Sequence, residues 1–176
     1  MAHVAVTEGR PGITGLLEGY PETGALLNGL AQTLLRRPAA LTPAERELIA
    51  TYVSSLNRCV FCCTTHGAAA RHLLGDGAVV DSVIADYPTA PVSDKLKSLL
   101  AIAAKVQQGG RTVDDDDVRA AREQGATDAE IHDAVLIAAA FCMYNRYVDG
   151  LATWAPDDPR MYDEIGARLA ANGYGN

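Results

Sequence analysis

Residues 47–66 read E-L-I-A-T-Y-V-S-S-L-N-R-C-V-F-C-C-T-T-H and contain a C-x-x-C pair, Cys59 and Cys62, followed by His66. Each residue of an α-helix turns by about 100°, so Cys62 lies about 60° from Cys59 around the helix axis and His66 about 20° from it. A further thiol, Cys63, falls about 40° to the other side. One narrow stripe of a single helix therefore carries thiols and an imidazole without help from distant parts of the chain.

The expected start of this cysteine helix makes one of its thiols reactive. Asn57 and Ser55 are good N-cap residues, and a cap near Asn57 puts Cys59 and Cys62 in the first turn. The positive end of the helix dipole and a neighbouring imidazolium both lower the pKa of a thiol. Since the thiolate is the nucleophilic form, the pattern predicts a reactive sulfur and a disulfide that is easy to reduce.

A carboxylate, Glu47, lies on the preceding helix. The sequence T-P-A-E at residues 42–45 predicts the start of that helix, with a capping box formed by Thr42 and Glu45. Two helices joined by a short turn near Asn57 run antiparallel, so Glu47 can face the thiol stripe and orient His66 or relay a proton. The alternative interpretation of Glu47 is an exposed glutamate on a solvated helix face.

Other roles for the cysteines are a metal site and simple burial. A C-x-x-C pair is half of a zinc site, but a second pair is missing because the only cysteine away from the adjoining Cys63, Cys142, stands alone. Cys59, Cys62 and His66 on one helix are also poorly spread for tetrahedral ligation. We therefore expect neither a metal nor a bound cofactor, and we favour a redox role over purely structural cysteines.

The spaced pattern E-x11-C-x2-C-x3-H resembles the alkylhydroperoxidase D-like branch of the carboxymuconolactone decarboxylase family. The sequences L-T-P-A-E-R-E-L-I-A before the pair, H-G-A-A-A after it and Y-N-R-Y-V-D-G-L further on are similar to its peroxidase-related subgroup. The resemblance covers residues 11–155. It implies an all-helical, oligomeric fold with thiol peroxidase or disulfide reductase activity.

The same resemblance implies roles for individual residues. Cys62 would be the thiolate that attacks peroxide, Cys59 the resolving thiol, His66 the base and Glu47 the relay carboxylate. Two residues depart from the family pattern. Phe61 stands where the best-known alkylhydroperoxidase D proteins carry a histidine between the cysteines, and Cys63 offers an alternative resolving thiol.

The rest of the chain predicts a single all-α domain, residues 1–176, of seven or eight helices. A second capping box, at residues 127–130, opens the longest helix, which we expect to be central, buried and packed against the cysteine helix. Glycines and prolines in residues 1–22 predict an extended N-terminal arm. From Gly173 onward we expect only a short tail.

Composition excludes several classes of partner. The net charge of −7 without a basic block argues against nucleic-acid binding. The longest apolar run, Ala134 to Tyr144, is too short to span a membrane, and the N-terminal residues lack the pattern of a signal peptide. We therefore expect a cytoplasmic protein, where a C-x-x-C pair is more often catalytic or metal-binding than a structural staple.

Three functions are compatible with these features. The favoured hypothesis is a thiol peroxidase that reduces a small hydroperoxide, is reset by a thioredoxin-like or lipoyl-type reductant, and forms a homodimer, trimer or hexamer. The second is a lactone decarboxylase or isomerase, which would need a carboxylate-binding cation and no essential cysteines. The third is a non-enzymatic, redox-sensing oligomer whose assembly changes with the disulfide.

Overall fold

The computed structural model describes residues 2–175, and within them the chain is all-helical, as the sequence predicts. Residues 2–175 form nine α-helices and one 3-10 turn, Gly110–Thr112, where we expected seven or eight helices. The helices are α1 (Gly12–Gly19), α2 (Pro21–Arg36), α3 (Pro43–Leu56), α4 (Val60–Leu74), α5 (Gly77–Asp86), α6 (Asp94–Gln108), α7 (Asp115–Glu123), α8 (Asp128–Gly150) and α9 (Pro159–Asn172).

Capping boxes open α3 and α8, where the sequence places them. The Thr42 hydroxyl accepts a hydrogen bond from the Glu45 backbone N–H at 3.2 Å, and the Glu45 carboxylate accepts one from the Thr42 N–H at 2.8 Å. Thr127 and Glu130 make the same reciprocal pair at the start of α8. These contacts satisfy backbone donors that the first helical turn leaves free, so local sequence determines where both helices begin.

The centre of the molecule is α3 rather than the longest helix. Every residue of α3 from Arg46 to Ser54 is buried, and the helix packs against α4, α6 and α8. By contrast, α8 leaves Leu136 and Met143 about two-fifths exposed, at 38% and 42%. The apolar run therefore does not make α8 the central helix, because one face of α8 is partly exposed on the surface formed by residues 2–175.

Residues 2–11 of the predicted N-terminal arm lie in neither helix nor strand and include a turn at Glu8 and Gly9, and the prediction of an extended arm is wrong for Gly12–Gly19 and for the start of α2, which are helical. Gly15 and Gly24 lie inside these helices and permit close packing. A Cβ atom added to Gly24 would lie 2.1 Å from the Leu17 carbonyl oxygen, so the backbones of α1 and α2 touch. Residue 1 of the predicted arm lies outside the described residues.

The cysteine helix, α4, begins at Val60 with Cys59 as its N-cap, so the C-x-x-C pair lies at the helix start as predicted. The expected cap, Asn57, instead ends α3. Arg58 joins the two helices with a φ of 59°, in the left-handed region, which turns the chain sharply enough to bring α4 back along α3.

Small residues that follow His66 on α4 let another helix approach closely. The neighbour is α9: a Cβ atom added to Gly166 would lie 2.5 Å from the Cβ atom of Ala68. The cysteine helix packs mainly between α3 and α9, and it meets α8 through the contact of His66 with Phe141. Among residues 2–175, no helix is both long and apolar enough to cross a bilayer.

Candidate active site

The two cysteines of the C-x-x-C pair are buried side by side. Cys59 is 0% exposed and Cys62 is 2% exposed, and both are thiols. They share a small apolar cluster with Phe61, Val148 and Tyr162, under the side chain of Ile13 from α1. The N-cap Cys59 and the first-turn Cys62 therefore lie beneath other elements of the fold and not on an open surface.

The two thiols differ in how easily they ionise. A hydrogen bond from the Cys59 thiol to the Cys62 sulfur raises the pKa of Cys59, and burial raises the pKa of Cys59 further. The same hydrogen bond lowers the pKa of Cys62, helped by the charge of His66 and by the side-chain amide of Asn145, against the effect of burial. Cys62 is therefore the thiol that more readily becomes a thiolate.

His66 and Glu47 form a buried pair next to these thiols. Nδ1 of His66 lies 2.8 Å from Oε2 of Glu47, whose side chain is fully buried. The alternative interpretation of Glu47 as an exposed, solvated residue is therefore wrong. The edge of the imidazole also contacts the Phe141 ring, with 4.6 Å between ring centroids.

Three polar neighbours keep the Glu47 carboxylate ionised despite its burial. Burial by itself raises the pKa of Glu47, but the charge and hydrogen bond of His66 lower it, as do Arg36 and Tyr174. The net result is a pKa of Glu47 below its usual range. An ionised carboxylate only accepts hydrogen bonds, so Nδ1 of His66 carries a proton and Nε2 is the nitrogen that can accept one.

Two further residues of this group have no signal in the sequence that links them to Glu47. Arg36 lies in the last turn of α2, and its side chain donates a 2.7 Å hydrogen bond to Oε1 of Glu47. Tyr174 lies in the expected C-terminal tail, but its hydroxyl donates to the same Glu47 oxygen at 2.5 Å. The 127 positions between Tyr174 and Glu47 leave no spacing signal in the sequence from which this contact could be predicted.

The other two cysteines lie apart from this group. Cys63 is partly exposed, burial raises its pKa, and it does not line the cavity beside Cys62. Cys142 is buried in the main core, where its sulfur lies 3.6 Å from the side-chain nitrogen of Asn57. The geometry thus brings together Cys59, Cys62, His66 and Glu47 and leaves the remaining thiols outside.

A cavity of about 160 Å³ opens next to Cys62 and His66. Its walls are mostly apolar and come from α1, α2, α4, α8, α9 and the segment after α9, and Thr65, which carries a hydroxyl, is one of the α4 residues that line it. That hydroxyl is buried without a hydrogen-bond partner among residues 2–175, and Arg168 is a cation in the wall. The apolar wall residues are Ile13, Leu17, Leu27, Phe61, Phe141, Ile165 and Leu169. An apolar molecule with one polar end fits such a site.

The described residues offer no metal centre. Over positions 2–175, no group of three or more His, Cys, Asp or Glu side chains is arranged so that it could hold a metal ion.

The sequence model of the carboxymuconolactone decarboxylase family matches residues 21–85 and 78–155 of this chain. The match includes the helix with Glu47 and the helix with the C-x-x-C pair and His66. No functionally curated protein matches the sequence significantly.

Solved structures share both the fold and part of the sequence. An alkylhydroperoxidase AhpD core from Ralstonia eutropha, described as an uncharacterized peroxidase-related protein, is 27% identical over 89% of this chain and 81% of its own, with a TM-score of 0.79. An uncharacterized peroxidase-related protein from a Silicibacter species is 28% identical over 85% and 78%, with a TM-score of 0.76. A protein of unknown function from Agrobacterium tumefaciens, 18% identical over 90% and 100%, shares the fold with a TM-score of 0.74.

Proposed function

Starting from the fact that this chain belongs to the carboxymuconolactone decarboxylase family, we propose that it is a thiol-dependent peroxidase with an antioxidant role. The observation that carries the proposal is the buried pair of Cys59 and Cys62 at the start of α4, where Cys62 shares a cavity with His66 and His66 Nδ1 lies 2.8 Å from Glu47. The resemblance to peroxidase-related structures supports the same assignment.

The reaction begins with the proton of Cys62, which passes to Nε2 of His66 while Glu47 holds Nδ1–H. The Cys62 thiolate attacks the terminal oxygen of a hydroperoxide, the O–O bond breaks, and the leaving alkoxide takes the proton from Nε2. Cys62 is thereby oxidised to a sulfenic acid and the peroxide is reduced to an alcohol. The Cys59 thiol then condenses with the sulfenic acid, releasing water and leaving a Cys59–Cys62 disulfide.

The walls of the cavity favour an organic hydroperoxide over hydrogen peroxide. Phe61 stands beside Cys62 in the wall, and most other side chains there are apolar, so the body of an alkyl hydroperoxide would be desolvated on binding. The ring of Phe61 cannot relay a proton, which leaves His66 as the base on this helix.

A dithiol must return the disulfide to the reduced state. We propose a thioredoxin-like or lipoyl-type reductant, whose two thiols exchange with the pair and become a disulfide themselves. We further propose that the protein works in the cytoplasm as a homodimer, trimer or hexamer and binds neither nucleic acid nor membranes. The cytoplasmic reductants that supply such dithiols keep thiols reduced there.

A thiol count before and after one equivalent of tert-butyl hydroperoxide tests the proposal directly. We expect the loss of two thiols per chain and, on peptide mapping, a disulfide that links Cys59 to Cys62. A link between Cys62 and Cys63 would retain the peroxidase chemistry and reassign the resolving thiol. An unchanged thiol count would contradict the proposal.

Single substitutions separate the roles of the two thiols. Cys62→Ser should abolish peroxide consumption, whereas Cys59→Ser should trap a sulfenic acid on Cys62 that a dimedone probe labels after a single turnover. Cys142→Ser is the matched control, because that buried thiol lies in the main core and outside the cavity, and it should leave the rate unchanged. Full peroxide turnover by Cys62→Ser would refute this mechanism.

A lactone decarboxylase or isomerase remains the second candidate. The name of the matched family and a cation in the cavity wall, Arg168, favour it, since such a reaction needs a group that binds a carboxylate. Carboxymuconolactone turnover that survives the double substitution Cys59→Ser and Cys62→Ser and is lost in Arg168→Ala would support this reading.

A third alternative is a non-enzymatic redox-sensing oligomer. It predicts that light scattering shows a different mass in the oxidised and reduced states, without peroxide turnover.

A further inference from the structure

Tyr174 contacts the His66–Glu47 pair through both its hydroxyl and its ring. Its hydroxyl oxygen lies 2.5 Å from Oε1 of Glu47 and 3.0 Å from Nδ1 of His66. Its ring stacks on the imidazole, with 5.8 Å between centroids and 15° between planes. The guanidinium of Arg36 lies over the same ring, 5.0 Å from its centroid. Tyr174 thus touches every charged member of the group.

The segment that carries Tyr174 is held in place by α2. Gly173 ends α9 with a φ of 71°, in the left-handed region, and turns the chain toward α2. The Gln32 side-chain oxygen then accepts hydrogen bonds from the backbone N–H groups of Tyr174 and Gly175, at 2.7 and 3.2 Å. Two hydrogen bonds from consecutive residues fix the direction in which the Tyr174 side chain leaves the backbone.

The hydroxyl group has only one proton, and the geometry determines where it goes. Burial and the neighbouring Glu47 carboxylate raise the pKa of Tyr174 well above its usual value, so the hydroxyl stays protonated. The ionised Glu47 cannot donate, so the hydroxyl donates to Glu47, and its oxygen can then only accept from Nδ1–H of His66. Both contacts favour the same state, in which Glu47 is ionised and His66 carries its proton on Nδ1.

We propose that Tyr174 is a positioning residue of the active site, whose hydroxyl keeps the Glu47 carboxylate ionised and His66 in the tautomer that accepts the Cys62 proton. The inference rests on the proposed function, because it concerns the activation of the same thiol. Phe61, which stands between the cysteines, cannot exchange a proton, and a tyrosine far along the chain adds a hydroxyl to the His66–Glu47 pair.

Several charged and titratable groups face this site and define what a pH profile reports. The groups that face Glu47 come from its own helix, from α2, from the cysteine helix and from the C-terminal segment. The groups that face Cys62 come from the cysteine helix and its N-cap, from α8 and from α9. Around Glu47 these groups are Arg36, Arg46, His66 and Tyr174, and around Cys62 they are Cys59, Cys63, His66, Asp149 and Tyr162.

The test is the pH dependence of Cys62 alkylation by iodoacetamide in the fully reduced protein, followed by peptide mass mapping between pH 5 and 9. Tyr174→Phe removes only the hydroxyl and keeps the ring between His66 and Arg36. Without the hydroxyl, Nδ1–H of His66 loses one of its two acceptors, so the tautomer whose Nε2 accepts the Cys62 proton is less favoured and the Cys62 thiolate forms at higher pH. We expect the acid limb of the profile to move to higher pH by about half a unit, which corresponds to a roughly threefold lower alkylation rate at a given pH on the limb. At high pH the rates of the variant and of the unmodified protein should become equal.

Two further variants complete the experiment. Tyr87→Phe is the matched control, since the Tyr87 ring packs against Tyr52 away from the cavity, and its profile should coincide with that of the unmodified protein. Gln32→Met releases the C-terminal segment without changing Tyr174, so it should shift the limb in the same direction by a smaller amount. It also serves as the second test if Tyr174→Phe folds poorly.

A Tyr174→Phe profile that coincides with that of the unmodified protein would overturn the inference. So would an equal drop in rate at every pH, because a merely structural role lowers the rate without moving the limb. Alkylation needs no peroxide, which separates this inference from the proposed function. A shifted limb in a protein that consumes no hydroperoxide would support the role of Tyr174 while the peroxidase assignment failed.

Discussion

Among the residues around His66 and Cys62, Glu47 carries the charge that depends most on its neighbours. Its carboxylate is fully buried between an imidazole and a guanidinium, at 2.8 and 2.7 Å. Such a charge is tolerated only while its partners remain, because breaking a buried ion pair leaves the other charge without compensation. Substitutions at this site should therefore change stability and thiol reactivity together.

Glu47→Gln should lower the free energy of unfolding at pH 7 by about 3 kcal/mol, as is typical when one partner of a buried pair is removed. The folded-state pKa of Glu47 is lowered, so its contribution is present above the unfolded value of about 4.3 and is lost as pH falls through the folded value. Urea unfolding at several pH values should show the difference from the unmodified protein shrink below that range.

The control for this experiment is Glu123→Gln on the exposed face of α7, where the carboxylate is 67% exposed. It should change the free energy of unfolding by less than about 1 kcal/mol. A Glu47→Gln protein as stable as this control at neutral pH would mean that the carboxylate is not ionised in the folded state.

Tyr162 presents the opposite situation, a buried hydroxyl without a partner among residues 2–175. Its ring packs against Phe61, 6.1 Å between centroids, and that contact survives in Tyr162→Phe. Since an unpaired buried hydroxyl costs about 1–3 kcal/mol, we expect the variant to be as stable as the unmodified protein or more stable by about 1 kcal/mol. A thermal unfolding scan measures this, and a loss of more than 1 kcal/mol would show that the hydroxyl is paired in solution.

At the scale of elements, contact between α4 and α9 positions the whole site. The contact brings the end of α9 near the cysteine helix, and the segment after α9 then delivers Tyr174 to His66. The two backbones approach closely because α4 carries alanines where α9 carries Gly166. Any side chain added at this crossing would push the two helices apart.

Gly166→Ala should therefore destabilise the protein by about 1–3 kcal/mol, since the added Cβ atom would lie 2.5 Å from Ala68 Cβ and 2.7 Å from its backbone. Gly29→Ala in α2 is the matched control, because nothing lies within 4 Å of the added atom. That control should stabilise the helix by about 0.5–1 kcal/mol. Denaturant unfolding compares the two, and an equal effect of both substitutions would contradict the close helix crossing.

At the scale of the molecule, the two ends of the chain enclose the cavity. Ile13 and Leu17 of α1 line it on one side, and Tyr174 lines it on another. Gly12 approaches the Phe61 ring so closely that an added Cβ would lie 2.2 Å from it. The site is thus closed by segments that the sequence predicts to be an arm and a tail.

Removal of residues 1–20 should open the cavity toward solvent without removing any of the thiols. We expect Cys62 to react faster with a bulky maleimide, while its rate with small iodoacetamide changes less, because α1 restricts access by size. The ratio of the two rates, measured on protein that circular dichroism shows to be folded, should increase severalfold. An unchanged ratio would mean that the reagents reach Cys62 by another side of the cavity.

Much of the fold follows from local sequence, because capping boxes, helical periodicity and a C-x-x-C pair at a helix start all act within a few residues. These signals predict an all-helical chain, the boundaries of α3 and α8, and the stripe of Cys59, Cys62 and His66. Only tertiary structure decides that α3 is central, that α1 folds over the cysteines, and that Arg36 and Tyr174 surround Glu47. Those contacts depend on how α2 and α9 pack, and packing joins residues that no sequence spacing relates.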